Sequence, residues 1–142
     1  MKKVEQIAKQ IIDCFKRRNK VICFGNGGSL TDCSHFSAEF NGIGPVIALN
    51  DPAKITSIGN DYGFENIFYK QVLDLAIVGD LIIGLSSSGK SQNVNEALML
   101  AANNGLEVID FPRKGKNTQE VQNYQYQLLH SVYILVKEAM GK

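Results

Sequence analysis

The amino-terminal segment alternates apolar and polar residues with the period of a helix. Lys, Glu, Gln and Arg fill the positions between apolar residues that recur at intervals of three and four. The apolar set is Val4, Ile7, Ala8, Ile11, Ile12 and Phe15. Because this spacing places the apolar side chains on one face, it predicts an amphipathic helix that ends near Asn19.

Four short apolar runs follow, and turn-forming residues bound them. The runs lie at positions 21–24, 45–49, 81–85 and 106–109. Helical patterns occupy the intervals, at about 29–40, 52–59, 64–77 and 91–104, and a final helix is predicted from about 117 to 140. Strands that alternate with helices, and are too apolar to alternate in polarity, predict an α/β three-layer sandwich. Its mainly parallel sheet of about four strands would be flanked by helices.

Composition narrows the classes of protein. A length of 142 residues, 44% of them hydrophobic, suits a single domain over 1–142. The 15 Lys and Arg nearly balance the 14 Asp and Glu, so we expect no nucleic-acid partner and no anionic membrane partner. The polar start and the absence of a long apolar run predict a soluble, cytoplasmic protein. The three cysteines lack metal-type spacing and are expected to be buried, reduced thiols.

Two polar turns follow predicted strands. Positions 25–29 read Gly-Asn-Gly-Gly-Ser, and positions 86–91 read Ser-Ser-Ser-Gly-Lys-Ser. In open parallel sheets, ligands bind beyond the carboxyl ends of the strands. Glycines there let the backbone approach an anion, and the N–H groups of the next helix point at it. A tight connection with a capping serine would explain either turn alone, but two together favour a small phosphate. Neither turn is a Walker loop or a GxGxxG motif, which disfavours nucleotides.

Ionisable side chains accompany these turns. His35 and Glu39 lie four residues apart on one face of a predicted helix, a spacing that suits acid–base or metal chemistry, or a plain surface pair. His130 lies near the same face of the final helix as Gln122, and a satisfied core histidine is the alternative. Asp61 is expected in a loop after the third helix, where an ordinary capping acid is the alternative.

Together these segments resemble the sugar isomerase (SIS) family, and specifically its phosphoheptose isomerase branch. The first matching motif is the turn at 25–29 followed by Asp32, His35, Glu39 and Gly42. The second is Gly-Asn-Asp-Tyr-Gly-Phe at 59–64, and the third is the segment 84–91 with Asn93 and Val94. The resemblance implies an SIS-like fold of the flavodoxin or Rossmann type.

The resemblance also implies site residues. The phosphate would be held by Ser29, Ser86, Ser88 and Ser91, and the sugar hydroxyls would be contacted by Asn26, Asp61 and Ser87. Gly27, Gly28 and Gln122 would line the substrate site. Glu39 and His130 would be the acid–base pair. Some family members bind zinc at positions that match His35, Glu39, Gln122 and His130, so zinc is a hypothesis for this chain.

By the same resemblance, the activity would be that of an aldose–ketose isomerase. The family interconverts sedoheptulose 7-phosphate and D-glycero-D-manno-heptose 7-phosphate through an enediol, and supplies heptose for lipopolysaccharide and the bacterial envelope. Family members are homotetramers whose sites form between subunits, so we expect a homo-oligomer that binds a small sugar phosphate. The alternative is a non-catalytic regulator or protein-binding adaptor with the same fold.

The chain is shorter than the family pattern. The family usually has a longer amino-terminal helical segment, and between the fourth strand and last helix a further turn and strand of roughly thirty residues. Here the segment Phe-Pro-Arg-Lys-Gly-Lys at 111–116 leads directly into the final helix. We therefore expect an exposed sheet edge, unless this basic loop or a neighbouring subunit covers it.

Overall fold

Helices and strands alternate along the chain as the apolar pattern predicts. The computed structural model describes residues 2–142. The helices are α1 (Lys3–Lys16), α2 (Gly28–Glu39), α3 (Pro52–Tyr62), α4 (Tyr69–Leu75), α5 (Gln92–Asn103) and α6 (Thr118–Ala139), with a 3₁₀ turn at Phe64–Asn66. The strands are β1 (Val21–Gly25), β2 (Val46–Ala48), β3 (Leu81–Leu85) and β4 (Glu107–Asp110).

The four strands form one parallel sheet in the order β2-β1-β3-β4. Val21 is in register with Val46 on one side and with Leu81 on the other, and Leu81 is in register with Glu107. The order reverses direction between β1 and β3, so the connections that leave these two strands diverge there. This confirms the predicted fold and places the two polar turns side by side.

Alternate residues of the strands enter two separate cores. Val21 and Cys23 face the core that α1, α2 and α6 cover, whereas Ile22 and Phe24 face the core that α4 and α5 cover. Helix α5 packs so closely on β3 that a Cβ on Gly84 would lie 2.9 Å from Leu98 Cδ1. The sheet is therefore covered on both faces, which explains why its two central strands, β1 and β3, are continuously apolar. All three cysteines are buried and free, as predicted.

Two predictions near the third helix are wrong. Helix α3 continues to Tyr62 and ends at Gly63, whose φ of 100° suits glycine and whose N–H donates to Gly59 O. Asp61 therefore lies in a helix and not in a loop. The predicted helix over 64–77 divides into the 3₁₀ turn and α4, because the chain bends to bury Ile67 and Phe68 in the core between them.

A buried carboxylate closes the amino end of the sheet. Asp80 is fully buried and accepts hydrogen bonds from Lys20 Nζ at 2.6 Å, Asn19 Nδ2 at 2.9 Å, and the backbone N–H groups of Ile77 and Lys20 at 2.9 and 3.1 Å. Burial alone would raise the pKa of the Asp80 carboxyl, but these hydrogen bonds outweigh burial and hold the pKa below its ordinary value. The network joins the start of β1 to the start of β3.

Strand β4 forms one edge of the sheet, because it pairs with β3 alone. Its outer surface carries the charged residues Glu107 and Asp110, and Gln10 Nε2 of α1 donates to Glu107 Oε2 at 3.3 Å. Charged residues of this kind disfavour pairing with another strand. Among residues 2–142, no helix combines the length and apolarity needed to cross a bilayer.

Candidate active site

The glycine turn after β1 and the serine turn after β3 meet at the point where the strand order reverses. A Cβ on Gly25 would lie 2.7 Å from both Leu85 O and Ser29 Cβ, so only glycine fits between the two strand ends. Just beyond this contact, Asn26 and Asn93 exchange side-chain amide hydrogen bonds of 2.8 and 3.0 Å. The reciprocal pair holds the two turns at a fixed separation.

The serine turn brings its predicted hydroxyls together. Ser86 Oγ donates to Ser91 Oγ at 3.2 Å, lies 3.5 Å from Ser88 Oγ, and accepts the backbone N–H of Gly89 at 3.0 Å. Gly89 has a φ of 72°, a conformation that favours glycine and lets the chain turn back on itself. Ser86 is buried at the base of the turn and Ser88 is exposed at its rim. The resulting concave surface of hydroxyls lies at the amino end of α5.

The glycine turn forms the other wall. Gly27 has φ 56° and ψ −123°, which side-chain-bearing residues rarely adopt, and α2 begins directly after it. A Cβ on Gly28 would lie 2.9 Å from Gln122 Nε2, so this glycine permits the close approach of α6. Asp32 lies one turn further along α2, where burial raises the pKa of its carboxyl and the nearby His35 only partly offsets the rise.

The predicted acid–base pair meets between α2 and α6. Glu39 Oε2 lies 3.0 Å from His130 Nδ1, and Glu39 Oε1 lies 3.5 Å from His35 Nε2. The Glu39 side chain is 15% exposed, whereas both imidazoles are about half exposed. His130 is therefore not a core histidine. The arrangement is a sheltered carboxylate between two accessible imidazoles.

The other predicted site residues lie apart from this pair. Gln122 contacts Gly28 at the opposite end of α2, and Asp61 accepts a 3.1 Å hydrogen bond from Asn60 on the exposed surface of α3. Within residues 2–142, no group of three or more His, Cys, Asp and Glu side chains has the arrangement of a metal site. Of the four predicted zinc ligands, His35, Glu39 and His130 lie together, whereas Gln122 packs on Gly28 at the other end of α2, so the four do not converge on a common point.

Three side chains that sequence reasoning had not placed in the site contact it. Asn93, part of the third matching motif, pairs with Asn26. Gln125 is fully buried, and its Nε2 lies 3.4 Å from Ser86 O and 3.2 Å from Pro112 O. Arg113 Nη1 also lies 3.4 Å from Ser86 O. For Gln125 and Arg113 the sequence offers no local signal, because these contacts span 39 and 27 residues.

Comparison with known proteins agrees with the fold. The SIS domain profile matches residues 1–111. A phosphoheptose isomerase from Fusobacterium nucleatum is 35% identical over an alignment of 162 positions, which covers 98% of this chain and 84% of that relative. The chain belongs to the phosphoheptose isomerase branch of the SIS-domain family. Because the alignment is longer than this SIS domain itself, the relative contains residues with no counterpart here.

Other relatives match the SIS domain to different extents. A phosphoheptose isomerase from Trichlorobacter lovleyi is 46% identical over 115 residues, which are 75% of this chain but only 58% of that protein. The chain thus spans less than two thirds of that relative. The solved phosphoheptose isomerase from Neisseria gonorrhoeae superposes with a TM-score of 0.91 at 31% sequence identity. The superposition covers 95% of this chain and 85% of the Neisseria gonorrhoeae chain. The fold is thus shared across nearly the whole SIS domain.

Proposed function

We propose that this SIS domain is a phosphoheptose isomerase, which interconverts sedoheptulose 7-phosphate and D-glycero-D-manno-heptose 7-phosphate. The observation that carries the proposal is the 3.0 Å contact between Glu39 and His130. It places a carboxylate and an imidazole together in a fold whose relatives bear that name. A carboxylate and an imidazole are the side chains that most often move protons in enzymes.

The proposed chemistry needs only proton transfers. Glu39 takes the proton from C1 of the ketose while a proton from His130 reaches the carbonyl oxygen on C2, which gives an enediol. Loss of the proton from the oxygen on C1 and return of a proton to C2 then give the aldose. No electron acceptor is consumed, and each general acid or base contributes roughly 10²–10⁴-fold to the rate.

The serine turn would anchor the phosphate of the same substrate. The proposed phosphate donors are Ser29, Ser86, Ser88 and Ser91, together with backbone N–H groups at the start of α5. Ser87, Asn26 and Asp61 are proposed to contact the sugar hydroxyls. Because the Asn26 amide is paired with Asn93, we propose that it serves chiefly to hold the two turns and only secondarily to contact the sugar.

We further propose that the complete site forms between copies of the chain. Along the contact between α2 and α6, Gln122 packs on Gly28, and the rings of Tyr126 and His35 follow, with centroids 5.6 Å apart. The Glu39–His130 pair comes last. The ten residue-to-residue steps from Ser29 to Glu39 rise about 15 Å along the helix, whereas seven bonded carbons and a phosphate extend over roughly 10 Å. A second copy could therefore supply one end of the site.

Exposed apolar side chains support such an assembly. Phe64 is 62% exposed and lines a cleft together with Asn26, Ser91 and Asn93, and Tyr126 is 43% exposed on α6. Apolar surface of this kind beside a polar site is typical of a contact with another protein surface. A homotetramer with sites between subunits is the assembly that we propose, by analogy with the family.

Zinc is a separate part of the proposal. Within residues 2–142 of one chain, the four residues do not fit a metal site, because Gln122 lies at the far end of α2 from Glu39 and no group of His, Cys, Asp and Glu side chains has the arrangement of a metal site. The proton transfers above are therefore assigned to Glu39 and His130 without a metal. We also propose a cytoplasmic enzyme that feeds heptose into envelope lipopolysaccharide, since that is the expected use of its product.

The test is to incubate the purified protein with sedoheptulose 7-phosphate, with and without added zinc, and to identify the product by chromatography and NMR. We expect the aldose to appear, and we expect solution-scattering mass to report an oligomer. Turnover only with zinc would assign a metal to the assembled site. Binding of the sugar phosphate without turnover in either condition would instead favour the non-catalytic regulator.

A further inference from the structure

Arg113 lies directly over the serine turn, although it belongs to a distant part of the chain. It follows β4, in the loop that leads to α6, and its Nη1 lies 3.4 Å from Ser86 O. A Cβ on Gly89 would lie 2.9 Å from Arg113 Nε and 3.3 Å from Nη2. The guanidinium therefore covers the face of the turn that glycine leaves open.

The position of Arg113 is fixed from two sides. Its Nη1 and Nη2 donate to the two carboxylate oxygens of Asp110 at 2.8 Å each, which is a bidentate pair. The backbone just before Arg113 is tied to the turn by the buried Gln125, whose Nε2 lies 3.2 Å from Pro112 O and 3.4 Å from Ser86 O. A side chain held in this way requires little further ordering when a ligand arrives.

Donors remain free on the side that faces the turn. Arginine has five N–H bonds, of which Asp110 accepts two and Ser86 O accepts a third. The Nε–H is among those left, and it is the atom nearest to Gly89. The hydrogen bonds that Arg113 donates to Asp110 raise the pKa of Arg113, so the guanidinium is charged at any pH of interest. A fork of charged N–H donors suits phosphate oxygens in particular.

We infer that Arg113 is an additional phosphate-binding side chain of the serine turn, oriented by Asp110, and that it helps select ligands with a dianionic phosphate. This inference rests on the proposed binding of a sugar phosphate at that turn. Because Asp110 neutralises much of the charge of Arg113, the contribution comes from directed hydrogen bonds at short range. We therefore expect a moderate effect on affinity and none on the chemical step.

The experiment compares Arg113→Gln with Lys114→Gln, which removes the same charge from the same loop at an exposed side chain. We measure KM and kcat for sedoheptulose 7-phosphate, and Kd for inorganic phosphate by calorimetry. We expect Arg113→Gln to raise both KM and Kd about tenfold, which corresponds to 1.4 kcal/mol. We expect kcat to stay within about twofold, and Lys114→Gln to change neither constant.

Asp110→Asn separates ligand binding from a purely structural role. It keeps the guanidinium but removes both the carboxylate that orients it and the charge that neutralises it, and these two losses act in opposite directions on phosphate binding. We therefore expect phosphate affinity to fall much less than in Arg113→Gln. Weakening equal to that of Arg113→Gln would mean that the pair only shapes the loop, and would overturn the inference.

The remaining outcomes keep this inference distinct from the proposed function. An unchanged Arg113→Gln beside an active wild type would overturn the inference and leave the isomerase intact. Phosphate binding that depends on Arg113, without any turnover, would refute the isomerase and support this inference. If the wild type neither bound phosphate nor turned over the sugar phosphate, both would fail.

Discussion

The two ends of the parallel sheet both bury polar groups, and they use them differently. At the amino end, the carboxylate of Asp80 receives four hydrogen bonds from the chain itself and is fully buried. At the carboxyl end, the hydroxyl of Ser86 is likewise bonded, but the exposed Ser88 next to it keeps hydrogen-bonding capacity toward solvent. At the amino end the buried carboxylate has hydrogen-bond partners within the chain and contributes to stability. At the carboxyl end some hydrogen-bonding groups are left to bind a ligand.

The largest effect is expected at the carboxylate between the two imidazoles. Glu39→Gln keeps the shape of the side chain but cannot accept a proton, so we expect kcat for sedoheptulose 7-phosphate to fall by roughly 10²–10⁴-fold. Urea unfolding should change little. Glu138→Gln, at an exposed position near the end of α6, is the control. A Glu39→Gln variant that keeps more than a tenth of wild-type kcat would exclude Glu39 as the base.

A substitution at Asp80, at the amino end of the sheet, should lower the stability of the fold and leave the activity unchanged. Asp80→Asn removes the charge that Lys20 faces, and we expect the free energy of unfolding to fall by about 3 kcal/mol, because breaking a buried pair leaves a group without its partner. Asp13→Asn is the control, since the Lys9–Asp13 pair has the same 2.6 Å distance but is exposed. That change should be undetectable. An equal loss of unfolding free energy in the two variants would show that burial does not determine the contribution of these ion pairs to stability.

The pH dependence of the same variant follows from the lowered pKa of Asp80. A carboxyl whose pKa is lower in the folded state stabilises the fold above its ordinary value of 3.8, and this stabilisation is lost as the pH falls through the folded value. Wild-type stability should therefore decline in acid more steeply than that of Asp80→Asn. Parallel curves from pH 7 to pH 3 would contradict this reading.

A smaller effect is expected at the base of the serine turn. Ser86→Ala removes the oxygen that accepts the Gly89 N–H, so we expect about a tenfold rise in KM and a loss of about 1 kcal/mol in unfolding free energy. Ser57→Ala, on the exposed surface of α3, should change neither quantity. If KM stayed at the wild-type value, the phosphate would have to bind elsewhere.

The smallest effect is expected at Asp32. Burial raises the pKa of this carboxyl above 3.8, so its ionised form costs the fold some stability at neutral pH. Asp32→Asn should therefore unfold at a slightly higher urea concentration at pH 7, and this advantage should disappear below pH 3.8, where the acid is protonated in both states. Asp74→Asn, on the exposed side of α4, is the matched control. A loss of stability at pH 7 would contradict the argument.

The sheet could be predicted from the sequence because burial on both faces leaves continuous apolar runs. The predicted strands agree with β1–β4 to within two residues, and the two polar turns lie after β1 and β3 as the sequence predicts. The break between the 3₁₀ turn and α4 could not be predicted. The helical periodicity of that segment is real, but Ile67 and Phe68 are drawn into the core by tertiary packing, which overrides local preference.

The contacts of the candidate site also divide into those that the sequence predicts and those that it does not. His35 and Glu39 share one turn of α2, so their proximity follows from helix geometry alone. That His130 reaches Glu39 came from the family resemblance, since the two are 91 residues apart. The loop with Arg113 carries no family motif, and its contact with Ser86 depends on how the shortened connection folds over the sheet. Long-range contacts in such a segment become visible only in three dimensions.

The glycine between the two strand ends has a consequence for how this scaffold can be altered. At Gly25 there is no room for a side chain between the two strand ends, because a Cβ there would lie 2.7 Å from both Leu85 O and Ser29 Cβ. Exchanging the hydroxyls and charges of the neighbouring serine turn can therefore change which anion is held, while the point at which it is held stays the same. Variants of the serine turn should therefore differ in the ligand that they prefer, and the ligand should lie at the same place in each of them.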